Sequence, residues 1–257
     1  MVMAAKIAAY ELTSVLGSGE FGGVFIGEHA VTKKKAAIKI FSKNEEWSAK
    51  IEICCYMRLK KTSCTPVLKL FGKCALGTYI VLDLFDASLE SKLQSGYKYS
   101  LIDAINGGLD VLNALQTIHS KHIVHRDIKP ANILIKNNRM YVCDFGLARI
   151  YEPTESLDDT HKAGNIGSTR YMSIHAHQGY KLYFGDDIES LGYIIWELLY
   201  NTLPWENQHN ATVLQQKQTC VAPCIHLDLF LTCVKKKHIL DNGDYILLAS
   251  FIKRLKM

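Results

Sequence analysis

A chain of 257 residues that is 48% hydrophobic can fill one large domain or two lobes sharing a cleft. Its 21% charged residues and formal net charge of +5 exclude a disordered or fibrous chain, and they suit anionic partners without demanding nucleic acid. The eight cysteines include no CxxC pair, so a disulfide framework is not expected, and reduced thiols in the cytoplasm and/or nucleus are. Cys220, Cys224, His226 and Cys233 lack metal-ligand spacing and read as structural. Met1 to Ala9 is too weakly patterned for a targeting signal. The longest apolar stretch, Leu191 to Tyr200, contains Glu197 and falls short of the ~20 residues that cross a bilayer, so no membrane span is expected.

The first third reads as strands. Tyr10 to Leu16 is broken by Gly17-Ser18-Gly19-Glu20-Phe21-Gly22-Gly23, and Val24 to Glu28 returns as the second arm of a hairpin. Lys33 to Lys35 predicts a turn, and Ala36 to Phe41 a third strand. Glu45 to Lys60 carries Trp47, Ile51, Cys54, Cys55 and Leu59 at helical spacing. Val67 to Phe71 and Thr78 to Leu84 complete a small lobe of five strands and one helix. Beyond Phe85 the pattern turns helical: Leu101 to Ser120 is amphipathic, Asp186 to Tyr200 is apolar all round, and Ala222 to Val234 and Tyr245 to Leu255 follow. The lobe boundary falls near Leu84 to Ala87.

Between the two apolar helical segments stands the chemistry. His125-Arg126-Asp127-Ile128-Lys129-Pro130-Ala131-Asn132 is followed closely by Asp144-Phe145-Gly146. Asp127 can accept the proton of a hydroxyl nucleophile and Lys129 can steady a transferred phosphoryl group; Asn132 and Asp144 can hold Mg²⁺ against the phosphates of ATP. Gly17-x-Gly19-x-x-Gly22 links two strands rather than a strand and a helix, which argues against a dinucleotide fold; its backbone can close over phosphates, with Phe21 capping the tip. Lys39, on the third strand, is the candidate partner of the α- and β-phosphates, against the alternative of an ordinary surface lysine. Glu52 is its expected carboxylate; Glu45 and Glu46 sit where acids simply favour the helix dipole. Asp187 is expected to anchor the catalytic loop backbone or to cap its own helix. Cys143 should line the nucleotide floor, either as a small apolar filler or as an alkylatable thiol.

The order H-R-D-x-x-x-x-N then D-F-G resembles the eukaryotic protein kinases, and the later motifs resemble their casein kinase I family, in the group that includes vaccinia-related kinases. Gly167-Ser168-Thr169-Arg170-Tyr171-Met172-Ser173-Ile174-His175 looks like G-T-A-R-Y-A-S-I-N, Asp186 to Tyr193 looks like D-D-L-E-S-L-G-Y, and Leu203-Pro204-Trp205 looks like L-P-W. The resemblance implies a bilobal α+β kinase fold, one domain over 1–257 with an N-lobe over 1–84 and a C-lobe over 85–257. It implies a nucleotide site built from Leu16, Gly17, Ser18, Gly19, Gly22, Val24, Ala37, Lys39, Leu82, Asp83, Leu84, Leu134 and Cys143. It implies a monomer that phosphorylates Ser or Thr of proteins, often near acidic or phosphorylated residues read by Arg170 and by Arg126, Arg149 and Lys162, with Lys217 assisting. Lys129 within HRDxKPxN resembles Ser/Thr rather than Tyr kinases. Phe184-Gly185 replaces the family's usual basic pair, and Ser168 its usual Thr, although the Ser168 hydroxyl can still bridge Asp127 and Lys129.

Two alternatives are weighed on the same residues. A nucleotide-binding scaffold without turnover predicts loss of Lys39, Glu52, Asp127, Asn132 or Asp144, and all are present. A small-molecule kinase predicts loss of Lys129-Pro130 and Arg170-Tyr171, which are also present.

Overall fold

The computed structural model describes residues 6–19, 22–152, 164–206, 208, 210–237 and 240–256. Period-two alternation builds its first part. β1 (Lys6–Ile7), β2 (Tyr10–Gly19), β3 (Gly22–His29) and β4 (Lys35–Phe41) precede α1 (Glu46–Arg58), and β5 (Leu68–Cys74) and β6 (Gly77–Asp83) follow it. These strands form one antiparallel sheet in the order β1-β2-β3-β4-β6-β5. The sheet therefore has six strands where five were expected, and β2 and β3 run through most of the glycine segment that was expected to interrupt them. Two glycines are obligatory. A Cβ on Gly22 (φ 140°) would lie 1.9 Å from the Ile40 carbonyl oxygen, and one on Gly77 (φ 146°) 2.1 Å from that of Phe41.

Alternation along β4 decides what reaches the cleft. Ala36, Ile38 and Ile40 pack with Ile7, Tyr79 and Val81 on one face, which sends Ala37, Lys39 and Phe41 to the other. The buried stripe of α1 is Ser48, Ala49, Glu52, Cys55 and Tyr56. That stripe differs from the apolar one expected: Trp47 is 49% exposed and Cys54 is exposed. The helix turns polar Ser48 and Glu52 inward because the site uses both.

The second part is helical. β7 (Ala87–Ser88) and α2 (Leu89–Gln94) lead into α3 (Leu101–His119), which Ser100 caps by accepting the Asp103 N–H at 3.1 Å. β8 (Ile123–Val124) precedes the catalytic loop; β9 (Ile133–Lys136) and β10 (Arg139–Val142) form a hairpin beneath it, turning at Asn137 and Asn138, both with positive φ. β11 (Arg149–Ile150) pairs with β8. α4 (Ile174–His177), α5 (Phe184–Tyr200), α6 (Asn210–Thr219), α7 (Ile225–Lys236) and α8 (Asn242–Lys253) complete the chain order.

α5 is buried from Gly185 to Leu199 and is the axis against which α3 and α7 pack. A single apolar core runs from Phe41 and Tyr56 through Leu112 and Phe145 to Leu191, Phe230 and Ile252, joining the sheet-rich lobe to the helical one. No helix among the described residues is long and apolar enough to cross a membrane.

Candidate active site

Between the lobes lies a cleft of about 510 Å³. Strand alternation delivers Lys39 to it, and α1 delivers Glu52 from the opposite wall. Lys39 Nζ donates to Glu52 Oε2 at 2.7 Å and to Asp144 Oδ1 at 2.7 Å. Burial disfavours the ammonium, but the two carboxylates more than offset it and hold the amine above its ordinary value. Burial would raise the Asp144 carboxyl, yet Lys39 overrides it and holds the group below its usual range. Glu52, 1% exposed, is pushed up to about 7 by burial, against the pull of Lys39. Asp144 has φ 64°, a conformation that costs a non-glycine residue ~1 kcal/mol or more. Neighbours fix it there. Gly146 N–H donates to its Oδ1 at 3.3 Å, Ser48 Oγ donates to the Gly146 carbonyl at 3.1 Å, and Phe145 is buried edge-on to Tyr56.

The catalytic loop hangs on one carboxylate from α5. Asp187 accepts the N–H of His125 at 2.7 Å and that of Arg126 at 2.8 Å, and Arg126 has φ 68°. Because His125 Nδ1 accepts the Asp127 N–H at 3.3 Å, its proton resides on Nε2, which donates to the Cys143 carbonyl at 2.9 Å. The same ring thus ties the loop to the residue before Asp144. Asp127 accepts from the Ser168 hydroxyl at 2.9 Å and from Asn132 Nδ2 at 3.1 Å, with Lys129 Nζ at 2.7 Å. Lys129 Nζ also donates to Ser168 Oγ at 2.9 Å, so that hydroxyl bridges base and lysine as expected. Gly167 permits this approach: a Cβ there would lie 2.7 Å from the Arg126 carbonyl oxygen.

The residues expected to hold nucleotide are largely gathered in the cleft. Leu16, Gly17 and Val24 roof it, Ala37, Leu82, Asp83 and Leu84 form its back, and Leu134 and Cys143 its floor. A Cβ on Gly17 would meet nothing within 4 Å, so the space above it is open to a ligand. Gly22 is different: its bare backbone serves strand packing against Ile40. Ser18 and Gly19 end β2, Gly19 opposite Gly22; Phe21 lies outside the described residues. Cys143 lines the floor, but burial, then Asp144 and Glu52, push its thiol well above the ordinary value. Burial that disfavours the thiolate makes the thiol a weaker nucleophile, which favours the apolar filler of the two expected roles.

Asn132 and Asp144 both line the cleft and fit a hard cation. Asn132 spends its amide N–H on Asp127, which leaves Oδ1 as an oxygen donor; Asp144 has Oδ2 without a hydrogen-bond donor among the described residues.

Of the residues expected to read substrate anions, Arg126 and Arg149 lie close enough to interact electrostatically, whereas Arg170 and Lys217 face partners within the protein. Arg170 donates through Nη2 to Glu197 at 2.5 Å, through Nη1 to Glu206 at 2.9 Å and through Nε to the Tyr171 hydroxyl at 3.1 Å. Its charge is already answered by these carboxylates. Arg126 Nε donates to the Leu147 carbonyl at 2.7 Å, and Arg149 stacks over Tyr151. Lys162 lies outside the described residues. Lys217 is buried, donating to the carbonyls of Thr169 at 2.9 Å and Met172 at 2.7 Å, so it faces inward rather than toward a substrate.

Several contributors escaped the sequence reading. His119 bridges Asp187 Oδ2, at 2.9 Å, and the Tyr245 hydroxyl, stacking on Phe184. Ser48 and Tyr56 hold the Asp144 turn. Glu197 carried a visible signal, the one acid in the apolar stretch Leu191 to Tyr200 that ends α5, which is where buried charges with a partner stand.

The sequence profile of the protein kinase domain matches residues 10–240. Casein kinase I homolog 2 of Schizosaccharomyces pombe is 29% identical over 263 residues, covering 93% of this chain and 60% of that protein. Casein kinase I homolog 1 of the same yeast is 33% identical over 218 residues, covering 80% of this chain and 49% of that protein. The chain therefore spans between about half and three fifths of these relatives.

Proposed function

This chain belongs to the protein kinase family, and we propose that it transfers the γ-phosphoryl group of ATP to Ser or Thr hydroxyls of proteins. The observation that carries the reading is the double junction at Asp144 and Asp127. One carboxylate is held by Lys39 at the cleft, the other by Ser168, Lys129 and Asn132 on the adjoining loop. Asn132 and Asp144 would hold Mg²⁺, which when bound neutralises charge on the nucleotide phosphates. Lys39 positions the phosphates, Asp127 orients the hydroxyl and accepts its proton, and Lys129 faces the transferred group. The Lys129 and Ser168 pairing supports Ser/Thr rather than Tyr targets, as do the names of the relatives. A preference for acidic or phosphorylated targets would rest on Arg126, Arg149 and Lys162, since Arg170 is paired internally. All eight cysteines are free, which supports a reducing compartment, cytoplasm or nucleus.

The test is ³²P transfer from Mg·ATP to an acidic serine peptide and its phosphorylated twin, with Asp144→Asn as control. Transfer that disappears in the variant supports the reading. ATP binding without transfer to any peptide or protein would move the assignment to a nucleotide-binding scaffold.

A further inference from the structure

A second cavity of about 510 Å³ opens on the other side of the catalytic loop, reaching Pro130 next to Lys129. Leu93 and Tyr97 wall one side and Arg170 the other. A half-exposed guanidinium beside the phosphoryl-transfer loop has the geometry to grip a phosphate or carboxylate. Here it is not available for one. Glu206 and Glu197 take Nη1 and Nη2 at 2.9 and 2.5 Å, and Tyr171, itself donating to Glu197 Oε2 at 2.6 Å, takes Nε. Trp205 Nε1 donates to the Arg170 carbonyl at 2.8 Å, fixing the backbone from the same side. Glu206 in turn accepts from the Thr202 hydroxyl at 2.8 Å, which orders its carboxylate toward Arg170. The cavity lining carries three carboxylates, Glu90, Glu197 and Glu206, against two cations, Lys98 and Arg170. An anionic side chain entering it would have to displace Glu206 and face the remaining acids.

We propose that Glu197 and Glu206 are specificity-determining residues that mask Arg170, so that this cavity does not select phosphate or carboxylate on a protein substrate. Loss of the Glu206 carboxylate converts the cavity into an anion reader. The proposal rests on the protein kinase reading above and opposes the role expected for Arg170.

Glu206 is the accessible half of the mask, with a side chain 35% exposed, whereas Glu197 is 9% exposed and holds Tyr171. The experiment therefore uses Glu206→Gln and Glu206→Lys, with Arg170→Gln in the wild-type and Glu206→Gln backgrounds. Peptides carry one target serine and either phosphoserine or serine walked along the flanking positions. The readout is the ratio of kcat/KM for phosphorylated and unphosphorylated twins at each position. Fluorescence anisotropy of the same labelled peptides gives the ratio of affinities without turnover. At one position E206Q should raise the ratio about tenfold, the size of one hydrogen bond to a charged group. E206K should raise it further, and R170Q should leave the wild-type ratio unchanged while abolishing the gain in E206Q. A wild-type ratio that falls in R170Q would show that Arg170 already reads anions and overturn the proposal. So would an unchanged ratio in both folded Glu206 variants. If transfer fails with every peptide, the kinase reading fails, and the anisotropy ratios still decide the mask.

Discussion

The same triad, a cation between two carboxylates, occurs on both sides of the catalytic loop. In the nucleotide cleft Lys39 lies between Glu52 and Asp144; in the second cavity Arg170 lies between Glu197 and Glu206. The settings differ. Lys39 is 10% exposed at its side chain and Arg170 35%, and among the described residues Asp144 keeps one oxygen without a donor while Glu197 spends both. A nucleotide bound with Mg²⁺ would offer the spare carboxylate oxygen a partner, so the first triad would serve as a positioning device. A peptide arrives without one, so the second triad remains closed on itself and acts as a mask. Identical pair chemistry thus gives recognition or indifference according to what the ligand brings.

The largest test of this contrast is Asp144→Asn. It preserves shape and the Lys39 contact while removing the charge that would hold a bound Mg²⁺. Turnover should fall by about 10³-fold or more, with a melting temperature close to wild type. Initial rates and a thermal melt check both halves, and near-normal turnover would mean that the cleft triad is structural, which erases the contrast.

Next comes Glu52→Gln. Turnover should fall by about 10²-fold, because Lys39 loses the buried partner that aims it. The pH dependence separates this from a packing defect. Glu52 sits near 7 in the fold against an ordinary 4.5, through burial. Between those values the folded chain keeps a proton that the unfolded chain has lost. The contribution of this group to stability therefore declines as pH rises from about 4.5 to 7, while the carboxylate that Lys39 needs appears above about 7. Wild-type kcat/KM for ATP should climb through pH 7, and the glutamine variant should lack that step. An identical step in both would assign it to another group.

Smaller again is Ser168→Ala, which removes the hydroxyl shared by Asp127 and Lys129. A loss of about tenfold in kcat with ATP KM unchanged is expected, the size of one hydrogen bond to charged partners. Ser168→Thr should restore it, since only the hydroxyl is used; failure of that rescue would point to backbone fit at Gly167 instead.

Legibility in the sequence divided along the same line as the two cavities. The nucleotide side was readable because its residues come from short motifs whose spacing fixes them, such as Lys39 by strand alternation and Asp127, Asn132 and Asp144 by loop order. Helix and strand positions were readable for the same reason, with periodicity marking Leu101 to Ser120 and the buried Asp186 to Tyr200. The short elements β9, β10, α2, α4 and α6 carry too few turns or alternations to signal themselves. The peptide side was not legible because the partners of Arg170 are Glu197, at 27 positions' separation, and Glu206, at 36, brought to it only by α5 and the turn after it. A residue type announces what it can bind; its partners decide whether it is free to.

Lys217 gives the finest probe of the peptide wall. Its ammonium, over the rings of Tyr193 and Trp205, holds the carbonyls of Thr169 and Met172 on either side of Arg170-Tyr171. His177 Nε2 lies 3.1 Å away, and Glu189, Cys220 and Lys235 are the other charged or titratable neighbours. Burial lowers the Lys217 value to about 7, against the opposing pull of Glu189 and Cys220. Between about 7 and its ordinary 10.5 the unfolded chain holds a proton that the folded chain has released, so stability from this group rises with pH across that window. Lys217→Met should cost only about 1 kcal/mol at pH 7, because losing two carbonyl contacts is partly offset by no longer burying an ion. By pH 9 the gap to wild type should widen, with a slope of at most about 1.4 kcal/mol per pH unit. Urea unfolding at the two pH values measures this. Peptide KM should rise several-fold with ATP KM unchanged, since Lys217 supports the peptide wall and does not line the cleft. Parallel pH curves for the two proteins would show that Lys217 keeps its proton in the fold, so that Glu189 offsets the cost of burying the ammonium.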